Sequence, residues 1–412
     1  MSMLSNKAKF IRSLMEGWDG KVYTPETGNV SYSKLNAAMR EASKELPHPE
    51  KSKAGREMFQ QMFRNKRTAD GRVIKTGRVF LTDQAANPKL EKSGVKFGDY
   101  HTKGLTLLPA KKSGRINMCP CATVECETVC LNMKGRGAMS QGARGHRTNL
   151  LLDHTREFMH GLDAAIEHHS TTATQGKKQP VMRLNVVSDL VWEQHTPELF
   201  EKHKGVKFYD YTKIANRMLN PDKSLKKLPD NYHLTLSSTG LVGDKENWED
   251  LHHVLRQGGS GAMVFKTLAA RGTEGKRNYR PPAQLPKYLK WTHEGVPHVA
   301  VVVDGDEHDL RFKDKELAEA SGAFKQAEKD NPGAVVVRGT VAGLRLKGAK
   351  KDLETAGEFA VDMGDGHTID VDAVRAAGKA KSKASKTVPI TIGGEKLKEA
   401  LQNFIKGIYL RG

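Results

Sequence analysis

Four cysteines, Cys119, Cys121, Cys126 and Cys130, stand together in the run CPCATVECETVC, and the chain of 412 residues has no others. Their spacing is C-x-C-x4-C-x3-C. Thiolates are soft ligands that select zinc or iron–sulfur clusters. Glu125, Glu127 and Thr128 interleave with them, whereas cysteines of an apolar core would have apolar neighbours. Disulfides need an oxidising compartment. The start of the chain, MSMLSNKAKFIRSLMEGW, carries no apolar run that could act as a signal peptide. Nowhere do about eighteen apolar residues follow one another, as a membrane span requires. The expectation is a cytoplasmic chain with reduced thiols and a metal centre. The C-x2-C knuckles of zinc ribbons are missing, and C-x-C and C-x3-C take their place. That spacing favours a 4Fe–4S cluster, with a closed four-thiolate zinc site as the alternative.

A second set of polar residues falls where strands should end. Candidate catalytic residues are Asp189, Tyr211, Lys213, Ser237, Lys266, Asp304, Asp306 and Arg311. Each alone reads as a cap or a solvated turn; parallel strands would present them all to one mouth. Lys266 sits inside the apolar run GAMVFKTL, where an unpaired ammonium is costly, so it calls for a carboxylate or phosphate partner. The acidic run Asp304–Asp309 lacks the full calcium-loop spacing and its terminal glutamate. After the cysteines, a glycine- and arginine-rich segment, 136–147, leads into a helix. There Arg144, Arg147 and Asn149 are candidates for holding an anionic cofactor at the helix start. Tyr209-Asp-Tyr-Thr-Lys213 imitates the tyrosine–lysine motif of rolling-circle nicking proteins. The histidine pair that such enzymes need is missing, because His252 and His253 are adjacent on a helix.

The elements that must position these residues alternate. Runs at 104–110, 181–187, 206–211, 232–238, 261–268 and 298–305 read as strands, with helical patterns between them. This rhythm predicts an α/β fold with a parallel sheet, closing into a partial β/α (TIM-like) barrel. No G-x-G-x-x-G follows a strand, so a dinucleotide fold is not supported. The expected organisation is a helical basic N-terminal region at 1–80, the barrel with its cysteine loop at 81–365, a basic linker at 366–390 and a C-terminal helix at 391–412. Lys and Arg outnumber Asp and Glu by 67 to 48, a formal charge of +19. Basic residues concentrate between Lys51 and Arg78, as nucleic-acid contact or a solvated basic face would require.

A strand, a cysteine loop and a β/α repeat together resemble the radical S-adenosylmethionine enzymes. The pieces MCPCATVECETVC, RLNVVSDLVWE, VKFYDYTK, YHLTLSSTG, DGDEHDLRF and GLRLKG, in this order over roughly residues 104–350, resemble more specifically a phage family, the gene-product-eighty-eight-like proteins. That resemblance implies a phage or prophage origin, hence a host cytoplasm, and no particular activity. The radical-enzyme resemblance implies a C-x3-C-x2-C cluster loop and S-adenosylmethionine as a further cofactor. Of that loop this chain keeps only Cys126-x3-Cys130. Three functions follow as expectations. One is an iron–sulfur enzyme acting on or binding a nucleic acid or nucleotide; the second is a non-catalytic nucleic-acid-binding protein with a structural zinc or iron–sulfur site; the third is a rolling-circle-type nicking protein.

Overall fold

The computed structural model describes residues 28–48, 96–130, 141–241, 246–270, 280–347, 351–363 and 368–377, with short pieces between 50 and 91. Strands β1 (Lys66–Arg67) and β2 (Val73–Ile74) form an antiparallel pair of their own. Ten more strands make one sheet. They are β3 (Thr82–Asp83), β4 (Tyr100–Gly104), β5 (Gln179–Arg183), β6 (Lys207–Thr212), β7 (Tyr232–Ser237), β8 (Ser260–Leu268), β9 (Tyr288–His293), β10 (Val296–Asp304), β11 (Val335–Leu346) and β12 (Thr368–Asp370). Their order is β12-β9-β10-β11-β8-β7-β6-β5-β4-β3. The run from β10 to β4 is parallel throughout.

The α/β expectation holds and the barrel is corrected: the sheet is open, with β3 and β12 at opposite edges. A barrel closes by pairing its last parallel strand with its first. Here antiparallel strands flank the parallel run on both sides, β3 on β4 and β9 on β10. The second comes from a hairpin. Glu294 and Gly295 join β9 to β10 with φ of 50° and 76°, and positive φ at both central residues is the tight turn that suits strand twist. β10 therefore has β9 on its outer side, and β12 adds beyond that.

Strand alternation assigns the faces. Met182, Phe208, Leu234 and Met263 enter the main core with Phe158, Leu162 and Ile166 of the helix Thr155–Gln175 and with Trp248 and Leu251 of the helix Trp248–Arg256. Val181 and Tyr209 lie in a separate cluster with Leu310, from the segment that follows β10. Val299 and Val301 pack on Ala318, Phe324 and Ala327 of the helices Asp314–Ala320 and Ala323–Asp330. With both faces covered, parallel strands read as apolar runs rather than as alternating ones.

Other expectations shift at their edges. The helix read from Asn149 is two helices, Gln141–Asp153 and Thr155–Gln175, broken at His154 with φ −133° and ψ 54°. The strand read from residue 104 ends there as a ladder. A Cβ at Gly104 would come within 2.4 Å of the Val186 side chain, so the close approach demands glycine. Near the end of the stretch expected to be the barrel, Gly357–Phe359 is a turn of 3₁₀ helix, followed by a single bridge from Val361 to Phe265. Within the segment read as a linker, 368–370 is β12 and 371–377 is helical. The C-terminal helix at 391–412 and most of the basic segment from Lys51 to Arg78 lie outside the described residues.

Candidate functional site

The cysteine loop is tied down from several sides. Met118 N–H donates to the Ala110 carbonyl at 2.9 Å, and the Met118 carbonyl accepts from Asp189 N–H at 2.8 Å. The second bond links the loop to the segment after β5. Thr123 caps the short helix Val124–Thr128, its hydroxyl accepting from Cys126 N–H at 3.2 Å. Cys119 Sγ accepts from Ala110 N–H and donates to the Val187 carbonyl, both at 3.4 Å. Cys119, Cys126 and Cys130 then line one cavity of about 260 Å³, shared with Asp189, Tyr211, Lys213, Ser237 and Asp306. These residues follow or end β5, β6, β7 and β10, so the cavity sits at the carboxyl ends of the parallel strands, where open α/β sheets bind ligands. Cys121 is not part of the lining, and none of the four thiols is in a disulfide. Among the described residues, no three His, Cys, Asp or Glu side chains are gathered closely enough to hold a metal ion.

Burial sets the thiol chemistry. It pushes Cys119 up to about 12, with the Ala110 N–H opposing it and Asp189, Cys126 and Cys130 adding to it. Burial also raises Cys126, and the Lys213 ammonium draws it partly back. Tyr32, on the helix Tyr32–Glu45, stands near Cys119, Cys121 and Asp189 and is pushed up to about 12, mainly by burial. Its hydroxyl is buried without a hydrogen-bond partner.

A charged network fixes the floor and wall. Asp189 Oδ1 accepts from Arg217 at 2.7 Å and Oδ2 from Lys213 N–H at 2.8 Å. Arg217, fully buried, also binds Glu193 at 2.8 Å and the Tyr232 hydroxyl at 2.7 Å. Tyr232 in turn donates to Asp210, which is pushed up to about 7 by burial against the pull of Arg217 and Arg183. Asp189 is thereby held in place. Lys213 Nζ donates to Ser237 Oγ at 2.9 Å. Arg183 pairs with Asp309 at 2.6 Å, and the Tyr209 and Tyr211 hydroxyls donate to the same carboxylate at 2.9 and 3.1 Å. Burial raises both tyrosines, the reverse of what an activated nucleophile needs.

The remaining candidates are placed elsewhere. Asp304 makes two bonds to Arg345 Nη1, at 2.8 and 2.9 Å, and Asp306, which does line the cavity, lies 3.3 Å from the same nitrogen, so this acidic run anchors an arginine of the cavity wall. Lys266 finds Asp362 at 3.2 Å, outside the cavity. Arg311 is buried with Asp314 at 3.1 Å and lies away from the lining. Arg147 Nε donates to the Thr106 carbonyl at 2.8 Å, and Asn149 accepts from Arg115 at 3.3 Å. Those two join the helix to its neighbours. Burial lowers the pKa of Arg144, and nearby Cys130 opposes that shift. Sequence reasoning missed Tyr32, Arg183, Arg217 and Arg345. Arg183 had the same signal as Lys266, a cation inside an apolar run; the other three had none.

Among the described residues no helix is long and apolar enough to cross a membrane. No curated protein and no solved structure matches the chain. The comparisons thus give the radical-enzyme resemblance no support. The family model of gene product 88 matches residues 75–338, well over half of the chain and the whole stretch from before β3 into β11. By that match the chain belongs to the phage family of gene product 88.

Proposed function

We propose that the protein is an iron–sulfur protein whose cluster is held by Cys119, Cys126 and Cys130, and that the cavity beside these thiols is an active site. The observation that carries this reading is the arrival of three thiols from one loop on one cavity at the ends of parallel strands. The donor set suits the group. Thiols buried this far do not ionise unaided, and a cationic centre is what draws their protons off. The described side chains are not gathered about a single point. A cluster of several irons spreads its thiolates over a wider span than one zinc ion does. The unpartnered Tyr32 hydroxyl is a donor within the electrostatic reach of Cys119 and Cys121. Hydrogen bonds toward cluster sulfurs tune such centres.

A cluster supplies one-electron chemistry when bound. With Cys121 outside the lining, three thiolates leave one metal position for an outside ligand, and S-adenosylmethionine is a candidate for it. The protein's own part is to exclude water and to orient a bound molecule with Asp189, Lys213 and Ser237. The test is anaerobic purification with iron and sulfide analysis, followed by calorimetry with S-adenosylmethionine. Brown protein absorbing near about 400 nm, with iron lost in Cys126→Ser and kept in Cys121→Ser, is the expected result. Colourless protein with stoichiometric zinc would refute the reading.

A further inference from the structure

Two cations face the thiol cavity with donors to spare. Lys213 follows β6 directly and hydrogen-bonds through Nζ to two neutral groups, Ser237 Oγ at 2.9 Å and the Ser238 carbonyl at 3.3 Å. It stands 5.1 Å from the centre of the Phe359 ring. Among the described residues no carboxylate forms an ion pair with it. Asp189 is committed on both oxygens, one to Arg217 and one to the Lys213 backbone. Arg183 ends β5 with only 4% of its surface exposed. It gives Nη1 to Asp309 and leaves Nε buried without a partner. A half-buried ammonium lacking a counter-ion and a buried donor lacking an acceptor both carry a desolvation cost. An oxyanion from outside would satisfy both. The other two cations in this wall already face carboxylates, Arg345 those of Asp304 and Asp306 and Lys347 that of Asp306 at 4.0 Å.

Size narrows the ligand. The cavity of about 260 Å³ lies just below the range that drug-sized molecules fill, roughly 300–1,000 Å³. It has room for a small molecule or for one end of a larger one. We propose that the cavity takes the oxyanion of a small acidic molecule, a phosphate or a carboxylate, on Lys213 Nζ and Arg183 Nε beside Cys126. This rests on the reading of the cavity as an active site and names its substrate class. A mononucleotide or an acidic metabolite qualifies.

The full-length protein is titrated calorimetrically with inorganic phosphate and with acetate, first free of metal and then after cluster reconstitution. The expected result is millimolar or tighter binding of at least one anion, weakened about tenfold or more in Lys213→Met and restored in Lys213→Arg. Preference for phosphate assigns a phosphate-bearing substrate, and preference for acetate a carboxylate. Arg183→Lys keeps the charge beside Asp309 and loses Nε; unchanged affinity in that variant would overturn the role of Arg183. No binding of either anion to either form, or undiminished binding in Lys213→Met, would overturn the proposal. Iron and sulfide content judges the cluster separately, since anion binding by metal-free protein stands whether or not iron is found.

Discussion

Arg217→Met is the perturbation that the structure makes most quantitative. The guanidinium is wholly buried and serves two carboxylates and a phenol. It binds Asp189 at 2.7 Å, Glu193 at 2.8 Å and the Tyr232 hydroxyl at 2.7 Å. Asp189 and Glu193 are themselves 10% and 5% exposed, so water cannot replace the lost charge. Removing one member of a buried pair costs about 3–5 kcal/mol, because the partner stays buried and uncompensated. Two carboxylates are stranded here, which places the loss at the upper end, about 5 kcal/mol. At about 2–4 °C per kcal/mol for a large domain, melting should fall by roughly 10–20 °C. Urea unfolding followed by near-UV circular dichroism gives the free energy. The triple variant Arg217→Met, Asp189→Asn, Glu193→Gln should recover a large part of the loss, since neutral partners need no counter-charge. A single variant within about 1 kcal/mol of wild type would refute the claim that this network is desolvated and holds Asp189.

Further outcomes follow from the same geometry. Asp210, raised to about 7 by burial, binds its proton more tightly folded than unfolded. Its contribution to stability is complete below the usual carboxylate range and is lost as pH climbs through about 7. Asp210→Asn should therefore flatten the decline in urea midpoint between about pH 5 and about pH 8, and an unchanged slope would count against it. In metal-free protein Cys119, raised to about 12, should react with iodoacetamide at neutral pH about a thousandfold more slowly than a peptide thiol, as its thiolate fraction dictates. Peptide mapping reads this, and fast alkylation of folded protein would contradict the burial argument. Lys266→Met should cost less than about 1 kcal/mol, because its ion pair with Asp362 is solvated. A loss comparable to that of Arg217→Met would show that Lys266 has a buried role.

Strands β5, β6, β7, β8 and β10 were legible because each is a largely apolar run of strand length with polar residues at its end, a local pattern; β4, YHTKG, is polar and lies before the apolar run at 104–110 that was read in its place. The same pattern served a barrel and an open sheet equally. What separated them is the two-residue connection at Glu294 and Gly295, which folds β9 back beside β10 and gives the sheet an antiparallel flank. Lys266 and Arg183 carried one signal, a cation in an apolar strand, yet their places differ. Lys266 meets Asp362 away from the cavity and Arg183 lines it. Arg217 carried no signal, since its two acids lie 24 and 28 residues away in the segment that follows β5.

By itself the sequence determined the thiol loop, the strand ends with their polar residues and the membership in one family. Spacing, alternation and motif order are properties of contiguous residues. Tertiary structure decided that Cys119, Cys126 and Cys130 share a cavity while Cys121 does not. It also decided that Asp189 is anchored while Lys213 keeps an unneutralised charge, and that the sheet stays open. Those outcomes depend on the register and facing of segments far apart in the chain, where each buried charge must find its partner across the fold.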